Sequence, residues 1–137
     1  MNWIRDLARS MPFYRHLGIR LVGLGHGSSK VQLRLTRSLT QTTGVAHGGV
    51  TASLIDSAVG LALCTLIKPE QLITTVEMKL NYLSPAPVGM LKSTGKIIHK
   101  GKRIAVGEGE VRGQKGLVAK GLVTYVILDL RRKSTVS

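Results

Sequence analysis

The 137-residue sequence has one cysteine, one tryptophan, one phenylalanine and only 7 acidic residues. A lone Cys64 cannot close an internal disulfide, so the fold needs no oxidising compartment. Aromatics make up 4% of the chain, too few for a platform on which bases stack. No arginine-rich helix or zinc-finger spacing occurs either, so a nucleic-acid-binding reading rests on charge alone. No apolar run reaches the ~18 residues of a membrane span without polar interruption. Residues 1–20 lack the apolar stretch and small-residue cleavage site of a secretory signal. They are basic and mildly amphipathic, and the plain reading is a cytoplasmic protein without a membrane span.

What is abundant is positive charge. The chain carries 20 Lys+Arg against 7 Asp+Glu, a formal +13. Such a surface attracts polyanions: nucleic acid, an anionic membrane or a phosphorylated small molecule. The basic residues are scattered, with one short run at Arg131-Arg132-Lys133; they read either as an ordinary solvated basic surface or as one that draws in a phosphate-bearing ligand. Hydrophobic residues, at 43%, suffice for one packed core. One domain over 1–137 is expected, with a helical lead-in at 1–16 and a basic tail at 129–137.

The periodicity changes along the chain. Residues 2–16 read as a short helix, with Ile4, Leu7 and Met11 near helical spacing, and residues 17–23 as a strand. Over 31–36, Val31, Leu33 and Leu35 alternate with Gln32, Arg34 and Thr36. A polar loop at 37–47 leads into the one long helix, 48–66, which Lys68-Pro69 ends. Val76, Met78, Leu80 and Tyr82 then alternate with Glu77, Lys79 and Asn81, implying a strand with one face buried. Further strands are expected at 91–99, 103–112 and 117–128, joined by tight turns at Lys100-Gly101-Lys102 and Gly113-Gln114-Lys115-Gly116. Connections of hairpin length imply antiparallel neighbours. The expected fold is α+β, an antiparallel β-sheet wrapped around one long central helix.

That helix is apolar or small on nearly every face, and Asp56 is its only charged residue between Gly48 and Ile67. A carboxylate on such a helix is at least partly removed from water, which is costly unless it is paired or hydrogen-bonded. An Asp bonded to a neighbouring Ser or to a loop backbone would satisfy this. So would a functional carboxylate, since desolvation suits a general base or nucleophile. Just before the helix stands Ala46-His47-Gly48-Gly49. Glycines at a helix start let backbone N–H groups approach a ligand, and the helix dipole adds positive potential. The arrangement can serve as an oxyanion hole, though a Gly pair there is as often simple turn chemistry.

Several stretches together resemble the PaaI-like branch of the hotdog acyl-CoA thioesterases. They are Gly44-Val45-Ala46-His47-Gly48-Gly49, Leu54-Ile55-Asp56-Ser57-Ala58, Thr75-Val76-Glu77-Met78 and Asn81-Tyr82-Leu83-Ser84-Pro85. A looser likeness covers most of the chain, including Phe13-Tyr14-Arg15-His16-Leu17-Gly18. The resemblance implies a hotdog fold and hydrolysis of an acyl-CoA, aryl-acetyl or medium-chain, with no cofactor. By the same resemblance Gly48 offers its backbone N–H to the thioester carbonyl and His47 shapes the loop around it. Asp56 activates water or attacks directly, and Thr75 helps to position the water. Gln41 stands where relatives carry Asn, a departure that puts water positioning in doubt.

Gly48 and Asp56 are eight residues apart on one helix, roughly 12 Å at ~1.5 Å per residue. A carbonyl and its attacking oxygen need a separation of about 3 Å. One chain cannot easily hold both ends of the reaction, whereas two antiparallel helices bring Gly48 of one copy against Asp56 of the other. A homodimer is the expected minimum, and relatives commonly pair dimers into homotetramers. Gly49 would join the substrate-binding backbone, and Lys79, Lys100, Lys102 and Arg103 are candidates for the phosphates of coenzyme A. Each of these basic residues also reads as an ordinary solvated side chain.

The histidines His16, His26, His47 and His99 show no metal-ligand spacing, so no metal site is expected. Cys64, two turns beyond Asp56, reads as an inert core thiol. No Gly-x-Ser-x-Gly elbow is present. Gly107 and Gly109 suggest a closely packed sheet face. The alternative to an enzyme is an acyl-CoA-binding or regulatory protein that keeps the pocket without turnover, a reading motivated by Gln41.

Overall fold

Pro12 divides the N-terminal segment. Its fixed φ suits the first turn of a helix but biases the preceding residue towards extended backbone, and Met11 has φ −70° and ψ 117°. Two helices result, α1 (Asn2–Ser10) and α2 (Pro12–Leu17), in place of the single helix expected over 2–16. Gly18, with φ 83°, caps α2 in the left-handed region, so the first strand starts at Arg20 rather than at residue 17. The structure, a computed structural model, describes residues 1–130; residues 131–137 of the basic tail lie outside the described residues.

Six strands follow: β1 (Arg20–Gly25), β2 (Ser28–Leu35), β3 (Gln71–Tyr82), β4 (Gly89–Lys100), β5 (Ile104–Gly113) and β6 (Gly116–Asp129). Every pairing is antiparallel, in the order β1-β2-β4-β5-β6-β3. Helix α3 (Gly48–Cys64) lies across one face, with Leu54, Ile55, Val59, Leu61 and Leu63 at 2% exposure or less. This is the α+β arrangement that the sequence pattern implied and the hotdog fold that the family resemblance implied. Among the described residues no helix is long and apolar enough to cross a membrane.

Small residues seat the helix on the sheet. A Cβ on Gly95 would come within 2.4 Å of the Ala58 backbone, and one on Gly107 within 2.4 Å of Val59 Cγ1. Ser29, paired with Gly95 in the next strand, donates to the Ala58 carbonyl at 2.6 Å. The glycine pattern in β5 is therefore a closely packed sheet face, as the sequence suggested.

Strand β3 departs most from expectation. It begins at Gln71, five residues before the expected start, and its register slips between Thr75 and Glu77. At this bulge Val76 is the extra residue, 55% exposed, and Tyr82 is 56% exposed, so the strand does not bury one clean face. The slip has a local consequence. Simple alternation would put Thr75 and Met78 on opposite faces, but the bulge lets both face inward. Thr75 then pairs with buried Tyr125, and Met78 with buried Val123.

Candidate active site

Asp56 sits midway along α3, half-buried. Two hydroxyl donors reach one of its oxygens: Thr75 Oγ1 to Oδ1 at 2.9 Å and the Tyr125 phenol to Oδ1 at 2.5 Å. The Tyr125 oxygen is also 2.5 Å from the Asp56 backbone carbonyl. Tyr14, buried on α2, reaches in from the other side and hydrogen-bonds Ser57. Burial pushes the Tyr14 phenol up to about 12; the Ser57 bond opposes the shift and the Asp56 charge adds to it. Tyr125 is raised further, chiefly by burial and then by the Asp56 charge. Both phenols therefore keep their protons at any working pH and remain donors.

The Asp56 carboxylate opens onto a cavity of about 780 Å³ between the N-terminal helices, α3 and β3. Its walls are mainly apolar: Trp3, Leu7 and Phe13 from α1 and α2, Leu61 from α3, and Leu72 and Ile73 from β3. The chain has five aromatic residues, and four of them, Trp3, Phe13, Tyr14 and Tyr125, line this one cavity. Its volume is in the range that takes a small-molecule ligand. Cys64 also borders it, with burial raising its thiol to about 11, as suits an inert core thiol.

Gly48 lies elsewhere. As the first residue of α3 its N–H has no acceptor within the helix. It lines a separate cavity of about 370 Å³ with Gln41, Thr51 and Tyr82, and the Tyr82 phenol donates to its carbonyl at 2.9 Å. His47 caps the helix: its Nδ1 accepts from Gly49 N–H at 2.9 Å, which puts the ring proton of the neutral imidazole on Nε2 and engages the Gly49 amide. Gln41 shares the Gly48 cavity, but its side-chain carbonyl accepts from Thr43 N–H at 2.7 Å within its own loop.

The structure thus brings Asp56 and Thr75 together and gathers Gln41, His47, Gly48 and Gly49 at the other end of the helix. It does not bring the basic candidates to either group. Lys79 sits between the inward-packed Met78 and Leu80, so it faces the opposite side of the sheet, where its Nζ donates to Asn81 Oδ1 at 3.2 Å. Lys100, Lys102 and Arg103 form the β4–β5 hairpin. Register aligns Lys100 with Ala105, Tyr125 and Thr75, three strands from Thr75 and about 14 Å away at ~4.8 Å per strand.

Tyr125 and Tyr14 escaped the sequence reading. A signal for Tyr125 was present: a tyrosine inside the long apolar run 117–128 must place its hydroxyl against a buried partner. Tyr14 gave no such signal, because its short helix is solvent-facing on most positions.

Comparison with known proteins identifies the family and the fold. The thioesterase superfamily matches residues 43–120. A 1,4-dihydroxy-2-naphthoyl-CoA hydrolase of Listeria monocytogenes is 32% identical over 98 residues, covering 72% of this chain and 80% of that protein. Human acyl-coenzyme A thioesterase 13 is 30% identical over 104 residues, 74% of each chain. Among solved structures, a thioesterase family protein from Silicibacter pomeroyi superposes with a TM-score of 0.89 at 27% identity, covering 93% of this chain and 97% of that one.

Proposed function

The chain belongs to the thioesterase superfamily and is a thioester hydrolase, and from that premise we infer that it cleaves aryl-acetyl or medium-chain acyl-CoA at a site shared between two copies. The observation that carries this reading is Asp56 itself. A single carboxylate on an otherwise uncharged helix is held by Thr75 and Tyr125 and faces an apolar, aromatic-lined cavity. The acyl group lies in that cavity, and the aromatic walls favour an aryl group or a chain of moderate length.

Water attacks the thioester carbonyl carbon while Asp56 takes one of its protons. A C–O bond forms, the C–S bond breaks, and the proton ends on the departing CoA thiolate. The carbonyl oxygen, which gains charge in the transition state, is met by the Gly48 N–H of a second copy. Two features support that second copy. Gly48 and Asp56 line separate cavities within one chain. Strand β3 is also a 12-residue sheet edge with Leu72 and Val76 exposed, an arrangement that soluble proteins normally cover. A pair of such dimers is the wider assembly proposed, and the cytoplasm is the compartment proposed.

The test is thiol release from short-chain, long-chain and aryl acyl-CoAs, with wild type beside Asp56→Ala. Turnover that falls by about 100-fold or more in the variant supports the reading. Near-normal turnover in Asp56→Ala removes the carboxylate from the mechanism. Failure of the folded wild type on every substrate removes the acyl-CoA assignment.

A further inference from the structure

We propose that Tyr125 is a positioning residue that locks the Asp56 carboxylate and leaves Oδ2 as the oxygen that reacts. The kinetic part of this proposal rests on the hydrolase reading above; its geometry does not.

A carboxylate turns easily about its terminal torsion, where the energy wells are broad and two-fold. Asp56 has that freedom removed from one side. Tyr125 and Thr75 both donate to Oδ1, and among the described residues no hydrogen bond reaches Oδ2. The Tyr125 hydroxyl carries one proton yet lies 2.5 Å from both Oδ1 and the residue's own backbone carbonyl, so it ties the side chain of Asp56 to the helix backbone. At 2% exposure, Tyr125 is itself fixed by the sheet. Its phenol, raised by burial and then by the neighbouring charge, stays a donor throughout.

The identity of the donors matters. The chain carries 20 Lys+Arg, yet among the described residues no lysine, arginine or histidine lines the Asp56 cavity. The groups facing the carboxylate are the hydroxyls of Tyr14 and Ser57 from α2 and α3, Thr75 from β3 and Tyr125 from β6. Cys64 and Asp6 border the same space. An ion pair would neutralise the carboxylate that must take a proton. Neutral hydroxyls orient it and leave the charge in place. When Oδ2 takes the proton, Oδ1 becomes the carbonyl oxygen of the neutral acid and still accepts from both donors, so nothing around it has to move.

Tyr125→Phe removes the hydroxyl and keeps the ring. The expected result is a kcat lower by about 10- to 100-fold, the worth of one hydrogen bond to a charged group. KM should stay within about threefold. Donors to the carboxylate favour its ionised form, so the acid limb of the pH–rate profile should move to higher pH. In an Asp56→Asn background the same change should cost less than about threefold further. A merely structural role would instead add its loss in both backgrounds and leave the limb where it was. The carboxyl ¹³C resonance of Asp56 provides a readout without turnover: it should titrate at higher pH in Tyr125→Phe than in wild type. That comparison decides the role of Tyr125 even if the wild type hydrolyses no acyl-CoA, an outcome that would sink only the substrate assignment. Should Tyr125→Phe not fold, Tyr125→3-fluorotyrosine keeps the hydroxyl as a stronger donor and should move the titration the other way. An unmoved titration in the variant that folds overturns the proposal.

Discussion

The middle and the start of helix α3 are built on different principles. At its middle, Asp56 is gripped by its own chain: β3, β6 and α2 each send a hydroxyl towards it or its neighbour Ser57. At its start, Gly48 is held through its carbonyl by Tyr82, and its N–H is left without an intrahelical acceptor. The middle is finished within a single chain, whereas the start presents a backbone N–H that the proposed function assigns to a second copy. A rigid helix fixes them roughly 12 Å apart, too far to act on one carbonyl. On the proposed reading, the unit of function is larger than the unit of folding.

The largest expected effect comes from breaking the middle and the start separately and then mixing the products. Asp56→Asn should lower kcat by about 100- to 10,000-fold, the range of a general base. Gly48→Pro is the matching change at the helix start, because proline suits the first helical position and lacks the N–H; its Cβ would meet the Tyr82 phenol at 3.3 Å, so that side chain must give slightly. His47 already has the extended backbone (φ −61°, ψ 138°) that a following proline requires. Its expected loss is about 100- to 1,000-fold, as for an oxyanion donor. A mixed dimer has one site built from the intact Asp56 of one chain and the intact Gly48 of the other. Random re-association of the two dead variants should therefore recover about one quarter of wild-type turnover, half the dimers being mixed and half their sites intact. No recovery after verified exchange of subunits would confine the reaction to one chain.

A smaller effect is expected at the edge that would bring the two groups together. Val76, in the β3 bulge and 55% exposed, presents an apolar side chain at the rim of the sheet. Val76→Lys should weaken dimerisation by about 10- to 100-fold in Kd, read by sedimentation or light scattering over a dilution series. Specific activity should then fall on dilution in parallel with the dimer. Activity that survives in isolated monomers would sever the link between the two groups and the second copy.

Much of this contrast was legible in the sequence, and what was missed has a physical reason. The strand alternation, the breaker at Lys68-Pro69 and the single charge in an apolar helix revealed an antiparallel sheet around one helix and pointed to Asp56, and the family resemblance supplied the hotdog fold. Thr75 entered through a family resemblance, and alternation would have put it on the wrong face. Only a bulge, which depends on pairing with β6, turns it towards Asp56. Tyr125 lies 69 positions from Asp56, so nothing local to either residue announces their contact. The placement of the basic residues was not legible either. Composition reports how many charges there are, and only the pairing of strands reveals that Lys79 and the β4–β5 hairpin lie away from the carboxylate.

The smallest expected effect tests whether the two groups really belong to one rigid body. Gly95 lies beneath the middle of α3, and a methyl group there would fall 2.4 Å from the backbone of Ala58. A backbone obstacle cannot rotate aside as a side chain would, so either the helix lifts or β4 gives way. Gly95→Ala should cost about 1–3 kcal/mol in stability, the usual penalty of overpacking a core. That is a drop of several degrees in Tm for a domain of this size. If the helix moves as one piece, its carboxylate and its N-terminal amide shift together in each copy, and the geometry between copies is disturbed twice over. The loss of kcat should then exceed what the fall in folded fraction explains, with dimerisation unchanged. If activity merely tracks the folded fraction, the sheet has absorbed the strain and the helix has kept its place.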